Sequence, residues 1–236
     1  MKRKILQTLL AVLVGAGASA QVNSGSNGSD GAFNPATSTV INMADHPNGI
    51  YQYTSVTISN GVTVTFIPNA NNSPVTWLVQ ENCEIDGTVD VSGQSPGIGG
   101  PGGYSGGMTG SNPTAGQGPG GGPASLAVSS YGCNASYGSS GSDNGLNYSG
   151  PTYGNIFILP LIGGSGGSGS YYYGGFGGAN GGGGGGAILI ASSNQIQLTG
   201  NIWALGGSGT YIYNGGIQPV EVIVTITLNC IVLSHR

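Results

Sequence analysis

The sequence predicts an all-β chain: parallel β-helix (solenoid) rungs interrupted by a long glycine-rich insert. Three observations carry this. Turn dipeptides are each followed by alternating β-formers: Asn48-Gly49 before IYQYTSVTI, Asn60-Gly61 before VTVTFI, Asp86-Gly87 before TVDV. Helix signals are almost absent, with no apolar 3.6-residue period. One supersecondary unit also occurs twice. Aligning Gly87 with Gly200 sets Cys83 on Ile196, Ile85 on Leu198, Val89 on Ile202 and Gly93 on Gly206.

Taken in order, residues 1–20 read as a secretion signal. Lys2, Arg3 and Lys4 form the positive region, Ile5 to Ala16 the apolar region, and Ala18-Ser19-Ala20 the cleavage site. The apolar run is shorter than the ~20 residues a membrane span needs. Residues 21–39 read as a Ser/Gly/Asn linker, and 40–92 as the first rungs. In VTVTFI, Val62, Val64 and Phe66 share one face and Thr63 and Thr65 the other, the period of a half-buried strand.

Residues 93–186 form the insert. Glycine falls on every third position at Gly97, Gly100, Gly103 and Gly106, at Gly163, Gly166 and Gly169, and at Gly175, Gly178, Gly181 and Gly184. A three-residue period fits packed polyglycine-II helices. A flexible loop is the alternative, because ordering so many residues is costly at ~1–2 kcal/mol each. Residues 187–216 return to the rung pattern. Residues 217–236 lose glycine and read as one alternating strand, an atypical ending expected to mark a truncated or misjoined reading frame, with a final edge strand docking onto a partner as the alternative.

Charge narrows the function. Once the signal is removed, Arg236 is the only basic residue, and all eight acidic residues remain. Nucleic-acid binding lacks its basic patch, a P-loop lacks its lysine, and lysine-based covalent chemistry is excluded. Charged residues make up 5% of the chain, so self-association is favoured. Cys83, Cys133 and Cys230 permit one disulfide and leave one thiol over.

The run GIYQYTSVTISNGVTVTF, then EIDGTVDVSG, then GGGGGGAILIAS and LTGNIWALGG, resembles the exported glycine-rich parallel β-helix proteins of bacterial surfaces. The insert also resembles, in composition, the polyglycine-II sandwich of some phage tail-tip adhesins. The resemblance implies a structural or adhesive role and transfers no catalytic residue.

The expected function is a secreted or cell-surface structural or adhesive protein without catalytic activity or cofactor. Its partners would be surface glycans or other extracellular polymers, together with copies of itself. Binding is assigned to tyrosines of the insert, Tyr171, Tyr172, Tyr173 and Tyr104. A tyrosine offers a flat apolar face and a polar tip at small entropic cost. Tyr131, Tyr137, Tyr148 and Tyr153 also punctuate the insert, and for all eight tyrosines the plainer role is to pack the glycine region onto the rungs.

The alternative is a carbohydrate-active enzyme using Glu81, Glu84, Asp86 and Asp90, the one acidic cluster. If Ile85, Val89 and Val91 point inward, Glu84 and Asp90 point outward, where they could act as an acid/base pair or hold Ca²⁺. A third reading is ice or mineral binding by Thr57, Thr63 and Thr65. Gly163-Gly164-Ser165-Gly166-Gly167 matches a nucleophile elbow and Gly97-x-Gly99-x-x-Gly102 a dinucleotide fingerprint, but both lack the following helix. The insert's lone acid, Asp143, cannot sustain a calcium-binding repeat, and His46 reads as an exposed turn residue.

Overall fold

The computed structural model describes residues 23–124, 132–141, 149–155, 157–171, 177–213, 216–219 and 230–233. The stretch read as a secretion signal, residues 1–20, lies outside them, as do Tyr131, Asp143, Tyr148, Tyr172 and Tyr173.

Fourteen strands are described. The first seven are β1 (Gly31–Phe33), β2 (Thr39–Asn42), β3 (Ile50–Ile58), β4 (Thr63–Ile67), β5 (Val75–Val79), β6 (Cys83–Ile85) and β7 (Thr88–Asp90). After the glycine-rich stretch come β8 (Gly178–Asn180), β9 (Ile188–Ser192), β10 (Ile196–Leu198), β11 (Asn201–Trp203), β12 (Thr210–Tyr213), β13 (Gly216–Pro219) and β14 (Cys230–Leu233). A single 3-10 turn, Met43–Asp45, is the only helical piece among the described residues.

The strands make a seven-stranded sheet (β10-β6-β3-β5-β9-β14, with β1 also on β3), a four-stranded sheet (β11-β7-β4-β2) and a three-stranded sheet (β13-β12-β8). The first two are parallel throughout, and the third is antiparallel.

The expected β-helix is corrected by this topology: the fold is a parallel-sheet fold rather than a solenoid. Strand order in the larger sheet doubles back instead of following the chain. The cause is the length of β3, which pairs through Ile50–Tyr53 with β5 and through Val56–Ile58 with β6. Solenoid units touch only their neighbours in the chain. Here a long glycine-rich stretch separates β7 from β9, yet β9 lies on β5.

The pairing read from the duplicated unit does hold. Cys83 lies on Ile196, Ile85 on Leu198 and Val89 on Ile202. Gly87 and Gly200 stack at the corner so closely that a Cβ on Gly200 would overlap the Gly87 carbonyl. Gly61 has φ +81°, as its turn demands, whereas Gly87 is needed for close approach to Ser59 and Val62.

Alternation builds the core. Inward positions of β3 to β7 (Val56, Ile58, Val64, Cys83, Ile85 and Val89) are fully buried, as are Trp77, Ile188 and Ile190. Each such aliphatic side chain contributes roughly 1.5–3 kcal/mol by leaving water. Phe33, Tyr53 and Trp77 pack as an aromatic group, with Phe33 and Tyr53 stacked at 5.2 Å. His46, expected to be exposed, stacks on Tyr51 at 4.1 Å with Nε2 3.3 Å from an Asp30 oxygen.

Residues 24–33, expected as a linker, lace the sheet corners. Ser24 Oγ donates to Val79 O (2.8 Å) and lies 3.0 Å from Ser193 Oγ, while Ser26 Oγ donates to Tyr53 O (2.8 Å). In place of the single strand expected over 217–236, the described residues belong to two strands in different sheets. β13 pairs with β12, and β14 with β9.

Between β8 and β9 runs Gly181–Gly186, and its surroundings repeat every third residue. The carbonyls of Gly182 and Gly185 accept from Gly167 and Gly164, that of Gly183 from Gly207, and that of Gly184 from Gly100. A Cβ would follow the same rotation. At Gly181 and Gly184 it would overlap the carbonyls of Gly167 and Gly164, at Gly182 and Gly185 those of Gly207 and Ala204, and at Gly183 that of Ile98. Three neighbouring segments thus surround one side-chain-free backbone. Hydrogen bonds between peptide groups do there what hydrocarbon does in the core.

Candidate functional site: a neutral cleft at Tyr104

The C-terminal end of β4, an interior strand of the four-stranded sheet, meets the glycine-rich layer at an open depression of about 400 Å³. Ile67, Pro68 and Ile98 supply apolar surface, Tyr104 an aromatic ring, and Gln94 and Gln117 exposed amides. Ile67 and Ile98 are about half exposed, at 49% and 48%. None of the lining residues carries a charge.

The sequence holds these groups firmly. Tyr104 N donates to Gly164 O (3.0 Å), and its carbonyl accepts from Gly184 N (2.8 Å), fixing its backbone on both sides. Gly118 lies against the ring, since a Cβ there would come within 2.6 Å of Tyr104 Cδ2. Asn72 clamps the floor, with its Nδ2 donating to Gly103 O (2.5 Å) and its Oδ1 accepting from Gly102 N (3.2 Å). Gln94 and Ile98 exchange backbone hydrogen bonds of 2.7 and 2.9 Å across a tight loop, and Gln117 N donates to Ser105 O (2.9 Å).

Apolar carbon, an aromatic face and neutral amides on a rigid backbone suit a neutral amphipathic ligand. A charged ligand would find no counter-charge among the lining residues.

Of the other expected binding tyrosines, Tyr171 alone is among the described residues. Tyr171 forms a β-bridge with Gly110 and is half-buried, and it does not line the cleft. Tyr137 and Tyr153 pack edge to face at 4.6 Å. The Tyr153 hydroxyl donates to Gly163 O (2.7 Å) and accepts from Ser165 Oγ (2.9 Å), and burial pushes it up to about 12. These two hold the glycine layer together.

The acidic cluster does not converge. Glu84 lies on β6 in the seven-stranded sheet, opposite Thr57 and Gln197, while Asp90 lies on β7 in the four-stranded sheet, opposite Thr65 and Trp203. Asp86 accepts from the Thr199 hydroxyl at the corner, Asp90 from Ser92 N (2.8 Å), and Glu81 is exposed. No group of three or more His, Cys, Asp or Glu able to hold a metal occurs among the described residues. Thr63 and Thr65 share the outer face of β4, whereas Thr57 belongs to the other sheet.

Cys83 and Cys133 are buried free thiols, and Cys230 lies in β14. No described helix is long and apolar enough to cross a membrane.

No family model, curated protein or solved structure matches this chain.

Sequence reasoning reached Tyr104 but missed Gln94, Ile98 and Gln117. Each sits in a glycine-rich loop without strand alternation, and only the fold brings the three together. The available signal was weak: isolated large side chains in a stretch otherwise made of Gly, Ser and Pro.

Proposed function

We propose that this is a surface-displayed structural and adhesive protein, without a catalytic role, that holds neutral glycans at the Tyr104 cleft. The supporting observation is the cleft's composition: an aromatic ring, apolar walls and uncharged amides on a hydrogen-bonded backbone. Sugars match it, because their C–H faces stack on aromatic rings and their hydroxyls pair with amides. The signal-like N-terminus and the scarcity of charge fit display outside the cell.

A panel of neutral and uronate oligosaccharides, titrated against the purified protein, tests this. Neutral members should bind, and uronates more weakly. Tyr104→Ala should weaken binding at least about tenfold, as expected for an aromatic anchor at an interface. Equal binding by Tyr104→Ala, or no binding by the parent across the panel, would overturn the proposal.

A further inference from the structure

Both parallel sheets end on one side at β10 and β11, where their inward side chains emerge from cover. Cys83, Ile85 and Val89 are fully buried, whereas the residues in register above them, Ile196, Leu198 and Ile202, are not; Leu198 is 45% exposed. Along β10, Gln195 O accepts from Cys83 N, while Thr199 N donates to Ile85 O. Alternation in a parallel ladder then turns the N–H and C=O of Ile196 and Leu198 away from β6. Among the described residues, no strand pairs with that side of β10 or β11.

Open edges are normally blunted by Lys, Pro or an inward charge. This one is not: no charged residue occurs between Asp143 and Glu221, and no proline between Pro160 and Pro219. The same edge is already used in part. β14 lies parallel on β9, in register from Cys230–Ile188 to Leu233–Ala191, and β9 runs directly into β10.

We propose that the β10–β11 edge is a self-association surface that takes the β1–β2 edge of a second copy. At that opposite end, β1 and β2 close one sheet each, with Phe33 and Ile41 only partly buried against the core. Each end therefore presents a strand of each sheet, β14 adding to β10 at one of them, and all of these strands pair in parallel with their sheets. Translation along the sheets brings the two ends together with their direction preserved. Asp30 and Asp45 flank the β1–β2 end, so that end repels its own kind, whereas β10 and β11 carry no charged residue of their own. Such a head-to-tail contact does not close and builds open-ended stacks. It does not depend on the glycan cleft.

Sedimentation of the full chain over a wide concentration range tests the proposal. The parent should form species beyond the dimer, and Leu198→Lys should raise the concentration needed at least about tenfold. Gln197→Lys adds the same charge on the outer face and should have a smaller effect. Hydrogen exchange at Ile196, Leu198 and Ile202 provides a readout that needs no variant: these amides should be protected only in the assembled protein. A parent that stays monomeric, stops at a dimer, or protects these amides while monomeric would overturn the proposal.

Discussion

Tyr51 and Trp77 lie opposite each other in register on β3 and β5, both buried. Neither the tyrosine hydroxyl nor the indole N–H meets a hydrogen-bond partner among the described residues. Such a buried orphan costs about 1–3 kcal/mol. Tyr51→Phe removes one orphan while keeping the ring that stacks on His46 and Tyr53. Its melting temperature should equal or exceed the parent's, and a fall of several degrees would show that the hydroxyl has a partner in solution.

Gly184→Ala should destabilise by at least about 1–3 kcal/mol, the usual cost of overpacking. Its Cβ would overlap the Gly164 carbonyl, and backbone cannot swing aside as a side chain can. Gly138→Ala is the control, because nothing lies within 4 Å of its Cβ and its φ is not positive. Denaturant unfolding should leave that variant near the parent or slightly above it. Equal stability of the two variants would contradict the packing of the glycine run.

Alkali should weaken the fold through its tyrosines. Burial, with help from Asp30 and Asp45, pushes Tyr51 up to about 12, and burial also raises Tyr53. In the unfolded chain tyrosine titrates near pH ~10. Above that pH the native state holds more protons than the unfolded one, so stability falls as pH rises towards about 12. Urea unfolding at stepped pH should show the decline, and Tyr51→Phe should make it shallower. Stability unchanged up to pH ~12 would refute this.

The Cys83 thiol is held protonated, pushed up to about 12 by burial and then by Glu84. A thiolate is the reactive form, so native Cys83 should resist alkylation at pH ~8 and react on unfolding. Mass spectrometry after a short exposure to iodoacetamide checks this. Rapid native labelling of Cys83 would show that the β3–β6–β10 region opens readily.

What was legible in the sequence was local periodicity. Alternation placed Val64, Ile85 and Val89 inward, and the duplicated unit gave the pairing of Cys83 with Ile196. Sheet order was not legible, because nothing in IYQYTSVTI says that its two halves take different partners. The acidic residues looked clustered because they are close in sequence. The chain turns at Gly87 between Glu84 and Asp90, so they lie in different sheets. Gln94, Ile98 and Gln117 of the cleft depend on contacts between glycine-rich segments, where no side-chain pattern exists to read.

The run Gly181–Gly186 has a calorimetric consequence. Its ordering buries peptide groups and scarcely any hydrocarbon. Exposing apolar surface raises the heat capacity on unfolding, whereas exposing polar surface lowers it. A chain with so much glycine-rich backbone should therefore unfold with less than the usual ~12–15 cal/mol/K per residue. Its stability curve would then be broad and flat, and the protein would lose little on cooling as well as on warming.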